Sequence, residues 1–117
     1  MGSLRPSRVA EEIKKEVSVI IQREVKDPRV GFVTVTGVEV TNDLRYAKIY
    51  VSVLGSNEEE ERSLAALNKA KGLVRSEVGK RIRLRVAPEI TFIIDKSLDR
   101  GARINELISQ VKGEKED

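Results

Sequence analysis

The sequence predicts an α+β domain built on a small three-stranded sheet. Helical spacing of apolar residues near the N-terminus and after residue 58, and strand-like alternation in three shorter segments, support this class. The chain has 117 residues, which is the size of one ordinary domain. The predicted order is helix, strand, strand, helix, a second helix, strand and a short final helix. Residues 1–111 are expected to form one domain, followed by a short charged tail at 112–117.

The first helix is predicted from about Ser7 to Val25. Its apolar residues recur at helical spacing and form one buried stripe: Val9, Ile13, Val17, Ile20, Ile21 and Val25. Ser7 is the expected N-cap. Asp27-Pro28 ends the helix, because the residue before a proline disfavours the helical region.

Two strands follow, at 31–40 and 46–53, and their short connection predicts an antiparallel hairpin. In the first strand the parity of the apolar residues changes between Val35 and Val38. A β-bulge at Gly37 would return them to a common face. The second strand alternates regularly, with four apolar residues on its inner face: Ala47, Ile49, Val51 and Val53.

The next helix begins after Ser56-Asn57, whose small polar side chains suit an N-cap. Four glutamates at 58–61 follow and favour the positive end of the helix dipole. They are expected to form a solvated first turn, with a metal site as the alternative.

This helix raises a problem at Lys71. A straight helix over 58–82 would place five apolar residues within roughly 80° of one another: Leu64, Leu67, Val74, Val78 and Ile82. Lys71 would lie inside that stripe, and burying an unpaired ammonium is costly. Either Lys71 snorkels, or the helix bends at Ala70-Lys71-Gly72 and the second half starts at Gly72. Gly72 favours the bend, because glycine weakens a straight helix.

The same region holds most of the positive charge. Residues 69–85 contain seven Lys or Arg and one acid, a net charge of +6, whereas the remaining residues sum to −3. A helix start at the bend would expose amide groups suited to phosphate. The predicted RNA-binding residues are Lys69, Ala70, Lys71, Gly72, Arg75, Lys80, Arg81, Arg83 and Arg85. Taken singly, each of these charges also fits an ordinary solvated surface.

A third strand is predicted at 89–95, preceded by an extended segment in which Ile82, Leu84 and Val86 alternate with arginines. A final helix is expected to open at Asp99 or Gly101. Its apolar residues follow i, i+3, i+4, i+7 spacing: Ile104, Leu107, Ile108 and Val111.

The chain has only four aromatic residues. Phe32 and Phe92 are expected in the core. Tyr46 and Tyr50 are expected to cover a sheet edge or pack under the helices, with stacking on a nucleobase as the alternative. An aromatic platform that reads bases is therefore not predicted.

Composition argues against several classes of function. The chain contains no cysteine and no histidine, so thiol chemistry and the usual general base near neutral pH are excluded. No catalytic residue, metal or cofactor is predicted. No apolar run approaches the ~20 residues that span a bilayer. No leader pattern is found, so a cytoplasmic protein is expected.

Three segments together resemble the bacterial ribosome-binding factor A family: DPRVGFVTVTGVEVTNDLRYAKIYVSV, AKGLVRSEVGKRIRLR and PEITFIIDKSLDRGARI. The resemblance covers roughly residues 5–110. It implies a type II KH-like fold, α-β-β-α-kink-α-β, with helices packed on one face of the sheet. It also implies an Ala-x-Gly kink in place of the KH Gly-x-x-Gly loop, and here that pattern is Ala70-Lys71-Gly72.

The resemblance further implies a non-catalytic factor of small-subunit maturation. Such a factor binds the 30S subunit and 16S rRNA near the decoding region, promotes precursor 5′-end processing and aids growth in the cold. A ribosome-maturation GTPase is an implied partner, and the free protein is expected to be a monomer. The family's first helix tends to be basic, but acids at 11, 12, 16 and 24 offset its cations here, so Arg5, Arg8 and Lys15 are assigned only a secondary RNA contact. The family's extended C-terminal tail is short here.

The residues alone leave a second function open. A basic patch can also bind an acidic protein, so a protein-interaction module is the alternative to an RNA-binding factor.

Overall fold

The computed structural model describes residues 5–96, which form three helices and a three-stranded mixed sheet. In chain order the elements are α1 (Pro6–Arg23), β1 (Val33–Val40), β2 (Tyr46–Val53), α2 (Asn57–Lys69), α3 (Lys71–Arg81) and β3 (Glu89–Ile94). The expected C-terminal helix and the tail at 112–117 lie outside the described residues. Within the described range, none of the helices combines the length and apolar character that a bilayer span requires.

The sheet has the order β1-β2-β3, with β1 antiparallel and β3 parallel to the central strand β2. The inner face of β2 is buried at four alternating positions: Ala47, Ile49, Val51 and Val53. The opposite face carries the exposed side chains of Tyr46 and Lys48. The helices therefore cover one face of the sheet, as the family resemblance implies.

The bulge in β1 is confirmed. Val35 pairs with Val51 and Gly37 pairs with Tyr50, so Thr36 is an extra residue on β1. After this insertion, Val38 and Val40 lie opposite Ile49 and Ala47 on the inner face of β2. One extra residue therefore places all four valines of β1 on the covered face.

The buried stripe of α1 is confirmed at Val9, Ile13, Val17 and Ile20. The expected N-cap at Ser7 is wrong. The helix begins at Pro6, with Arg5 as the N-cap, and Arg5 makes no side-chain capping bond. Proline is well placed at a first helical position, because its ring fixes φ and the missing N–H would have no helical partner there.

Phe92 lies in the core at 2% exposure, as expected, whereas the prediction for Phe32 is wrong. Phe32 is 79% exposed and immediately precedes β1. Its carbonyl accepts a hydrogen bond from the Leu54 N–H at 3.0 Å, and Leu54 is 75% exposed. Phe32 therefore belongs to an exposed apolar pair at one end of the hairpin.

The segment between α3 and β3 is irregular rather than extended. Ile82 is buried, Leu84 is half-buried and Val86 is 67% exposed, so the predicted alternation does not persist. The Leu84 N–H donates to the Ile82 carbonyl at 2.7 Å, two residues earlier. This bond closes a tight turn that an extended chain cannot make.

The start of α2 is fixed by a capping box. Ser56 Oγ accepts a hydrogen bond from the Glu59 N–H at 3.2 Å, and Glu59 Oε1 accepts one from the Ser56 N–H at 2.7 Å. These bonds satisfy two amides that a helix start leaves without partners. The bond from the Ser56 backbone lowers the pKa of the Glu59 carboxyl below its ordinary value.

We expect this carboxylate to make stability depend on pH. Because its pKa is lower in the folded chain, its stabilising contribution is complete above the ordinary value of 4.5 and is lost as pH falls through the folded value. Glu59→Gln keeps an acceptor but cannot titrate. Urea unfolding at several pH values around the ordinary pKa should show that the parent has a higher free energy of unfolding than Glu59→Gln at neutral pH and loses this difference in acid. Glu58→Gln is the control. A difference in the free energy of unfolding between the parent and Glu59→Gln that stays constant with pH would contradict the assignment.

Candidate nucleic-acid interface

The helix breaks at Ala70, which confirms the predicted bend. Ala70 has φ −91° and ψ 6°, and it separates the end of α2 at Lys69 from the start of α3 at Lys71. The Ala70 N–H donates to the carbonyl of Ala66 at 3.1 Å. The second helix starts at Lys71, one residue before the predicted start at Gly72.

The break solves the problem at Lys71. Leu67 and Val74, on either side of it, are both fully buried, whereas Lys71 is exposed. Gly72 lies within α3, and a Cβ added there would meet nothing within 4 Å. The backbone at Gly72 therefore does not require glycine. What glycine provides is an open surface beside Lys71.

The start of α3 has the features of an anion site. Ala70 has no side chain that could cap the helix, and its carbonyl accepts the first helical bond, from the Val74 N–H at 3.0 Å. The amides of Lys71, Gly72 and Leu73 therefore have no partner inside α3. Such amides carry the positive end of the helix dipole, and Lys69 and Lys71 add two exposed charges next to them.

Arg81 has protein partners. Its guanidinium lies 3.4 Å from Glu16, 3.8 Å from Glu24 and 3.4 Å from Glu77, and its side chain is only 28% exposed. Glu16 belongs to α1, and Glu24 is the C-cap residue of α1. Arg81 thus links α3 to α1, a role that the charge pattern did not indicate.

The remaining predicted cations are more accessible. The Arg75 Nε–H donates to the Ala87 carbonyl at 3.1 Å, which ties α3 to the segment that leads into β3. Lys80 lies 3.6 Å from Glu77, but its side chain is 71% exposed. Arg83 and Arg85 are exposed and form no ion pair within residues 5–96. They follow α3 along the irregular segment.

The secondary residues of α1 are also exposed: Arg5, Arg8 and Lys15. Pro6 and Ala10, in the first turns of α1, line a cleft together with Thr41 and Tyr46. The start of α1 therefore lies at the end of the sheet where β2 begins. Arg5 and Arg8 add charge toward that end.

Sequence reasoning missed a contribution from the β1–β2 loop. Arg45 and Tyr46 line a second cleft with Arg75 and Arg85. Tyr46 is 52% exposed on the face of β2 that no helix within residues 5–96 covers, so the expectation that it covers an edge or packs under the helices is wrong. Tyr50 lies on the same face, and its hydroxyl donates to Glu39 at 3.1 Å. Only the parallel pairing of β2 with β3 brings these segments together, and the sequence does not reveal that pairing.

Comparison with known proteins decides the family. The family model described as ribosome-binding factor A matches residues 5–108. The chain belongs to the ribosome-binding factor A family. The chain is 54% identical over 119 residues to ribosome-binding factor A of Brevibacillus brevis, and the match covers 100% of this chain and 98% of that protein.

Solved structures of ribosome-binding factor A share the fold. A solution NMR structure from Thermotoga maritima is similar at 42% identity and a TM-score of 0.70, covering 82% of this chain and 94% of that one. A homology model of the Thermus thermophilus ribosome-binding factor A, fitted into a cryo-EM map of a 30S complex, has a TM-score of 0.65 at 24% identity. That match covers 78% of this chain and 96% of the Thermus chain. At this identity the Thermus likeness establishes the fold alone.

Proposed function

We propose that this protein is a non-catalytic, RNA-binding assembly factor of the small ribosomal subunit. In this role it binds 16S rRNA in the 30S particle and aids late maturation, including processing of the precursor 5′ end. Family membership supports the particle as the partner. The observation that carries the RNA contact is the break at Ala70, which starts α3 without a side-chain cap beside the exposed Lys69 and Lys71.

The geometry fits recognition of the RNA backbone rather than of its sequence. Uncapped amides can donate to phosphate oxygens, and lysine ammonium groups neutralise phosphate charge. Arg75, Arg83 and Arg85 extend this surface toward β3. A protein bound in this way shifts the rRNA toward the conformation that it binds best. Occupancy, without any covalent chemistry, is then sufficient for the function.

The proposal includes its cellular setting. The protein acts in the cytoplasm, is a monomer when free, and has a ribosome-maturation GTPase as a partner factor. It also aids growth in the cold.

Reversing the two lysines at the break should weaken binding. We expect Lys69→Glu/Lys71→Glu to bind immature 30S particles at least about tenfold less tightly, because two charge-assisted contacts are lost and two acids face phosphates. Arg75 is left intact, because its Nε–H also holds the Ala87 carbonyl. Sedimentation with immature 30S particles measures the change, and thermal unfolding shows whether both proteins are folded.

The matched control is Lys26→Glu/Arg62→Glu. Both residues are exposed, and neither forms an ion pair in the described part of the chain. This control changes net charge equally, so it should bind nearly as the parent does. Equal binding by Lys69→Glu/Lys71→Glu and the parent would show that the break is not the site. Retention of an acidic protein after ribonuclease treatment would favour a protein-interaction module instead.

A further inference from the structure

A cleft of about 680 Å³ lies at the end of the sheet where β2 and β3 begin. One wall is the β1–β2 loop, and the other is the irregular segment before β3. Tyr46 pairs with Glu89 at the start of the parallel ladder, and the Glu89 N–H donates to the Arg45 carbonyl at 2.8 Å. The two walls are therefore held by the sheet itself. The volume falls in the range of about 300–1,000 Å³ that small-ligand sites occupy.

The charges that line the cleft suit a single phosphate. Three arginines come from three different segments: Arg45, Arg75 and Arg85. Two carboxylates, Asp43 and Glu89, reduce the net charge to +1. Arg45 is 76% exposed and lies 4.0 Å from Asp43. Since that contact is long and exposed, the Arg45 guanidinium is available to an anion.

Asp43 serves to shape the loop. Its Oδ1 accepts a hydrogen bond from the Thr41 hydroxyl at 2.7 Å and another from the Arg45 N–H at 3.0 Å. These bonds lower the pKa of the Asp43 carboxyl. The loop is thus held in one shape, with Arg45 and Tyr46 at its end.

The cleft also offers apolar surface. The Tyr46 side chain is 52% exposed, and Val86 is 67% exposed on the facing wall. Leu44 and Leu84 are half-buried between them. A cleft with one exposed aromatic ring, an apolar lining and arginines suits a nucleobase attached to a phosphate.

We propose that this cleft binds one nucleotide of a single-stranded RNA segment, with the base against Tyr46 and the phosphate at Arg45 and Arg85. The inference rests on the proposed function and adds a base contact away from the helix break. One nucleotide carries one phosphate charge, which matches the cleft's net charge. An acidic peptide carries several charges and no ring that needs a stacking partner, so it fits this lining less well.

Binding of a short single-stranded oligoribonucleotide tests the proposal. Fluorescence anisotropy at several salt concentrations gives both affinity and salt slope. We expect Tyr46→Ala to weaken binding by roughly five- to one hundred-fold without changing the slope, because a stacked base is lost but no phosphate contact is. Tyr46→Phe should keep affinity within about twofold. Arg45→Ala should reduce the slope by about 0.7, the value for one phosphate contact on a single strand.

The matched control is Arg62→Ala, an exposed arginine that lines a different cleft with Phe32 and Leu54. It should leave both affinity and slope unchanged. The proposal is wrong if Tyr46→Ala binds the oligonucleotide as the parent does, or if a polyglutamate peptide competes equally with parent and Tyr46→Ala. Should Tyr46→Ala unfold, uridine monophosphate added to the parent must shift the amide NMR signals of Arg45 and Arg85.

The same variants separate this inference from the proposed function. If Tyr46→Ala and Arg45→Ala bind RNA normally while Lys69→Glu/Lys71→Glu loses 30S binding, only the cleft assignment is wrong. If Lys69→Glu/Lys71→Glu keeps 30S binding, the proposed function loses the site that carries it, whatever the oligonucleotide shows.

Discussion

Asn68→Ala is expected to lower the free energy of unfolding by about 2–6 kcal/mol. Asn68 pairs with the outer edge of β3 as a neighbouring strand would. Its Nδ2–H donates to the Phe92 carbonyl at 3.2 Å, and its Oδ1 accepts from the Phe92 N–H at 3.0 Å. Phe92 is buried, so truncation leaves two backbone groups without partners, at about 1–3 kcal/mol each.

Urea unfolding monitored by circular dichroism measures this loss. Asn57→Ala is the matched control, because Asn57 is an exposed asparagine of the same helix and should change stability by no more than about 0.5 kcal/mol. Asn68→Asp keeps the acceptor but loses the donor, so its free energy of unfolding should lie between those of Asn68→Ala and Asn57→Ala. Equal stability of Asn68→Ala and Asn57→Ala would mean that water replaces the amide at no cost.

The same contact has a consequence for solubility. An uncovered sheet edge presents amide and carbonyl groups that pair readily with other chains. Asn68 occupies this edge at the middle of β3. The side chain therefore both satisfies a buried strand and shields it from edge-to-edge association.

The sequence predicted features that follow from local periodicity. The bulge followed from a change of parity between Val35 and Val38, because a strand with one covered face must keep its apolar residues on that face. The helix break followed from the phase of Lys71, because an ammonium in an apolar stripe is costly. In both cases, the bulge and the helix break, the irregularity lies where the apolar spacing does not fit a regular strand or helix.

The predictions that were wrong depend on what lies beyond each segment. Phe32 has the character of a core residue, but β1 begins after it and the residue stays exposed. The 82–86 segment alternates, but a tight turn at Leu84 prevents an extended course. Polarity and spacing describe a residue, whereas burial depends on whether another element covers it.

The candidate site was predictable only in part. The break and its lysines lie close together in the sequence, so the pattern revealed them. Arg45 and Tyr46 meet Arg85 only through the parallel ladder between β2 and β3. Arg81 meets Glu16 and Glu24 only because α1 lies beside α3. Contacts between segments distant in sequence therefore decided which cations are accessible.

The accessible cations are expected to produce the largest effect on affinity, through its dependence on salt. Five cations of the basic segment are exposed and form no ion pair within residues 5–96: Lys69, Lys71, Arg75, Arg83 and Arg85. Each phosphate contact contributes about 0.7–0.9 to the slope of log affinity against log salt. Binding to immature 30S particles should therefore weaken by about 10²–10³-fold between about 50 and 200 mM salt.

Single substitutions then separate binding cations from structural ones. Arg83→Ala should reduce the salt slope by about 0.7–0.9, because one phosphate contact disappears. Arg81→Ala should leave the slope unchanged and lower the free energy of unfolding by about 1 kcal/mol, because its partners are Glu16, Glu24 and Glu77. A reduced slope for Arg81→Ala would mean that Arg81 leaves these carboxylates to bind RNA. In that case the ion pairs with α1 compete with RNA for the same guanidinium, and binding would loosen the contact between α1 and α3.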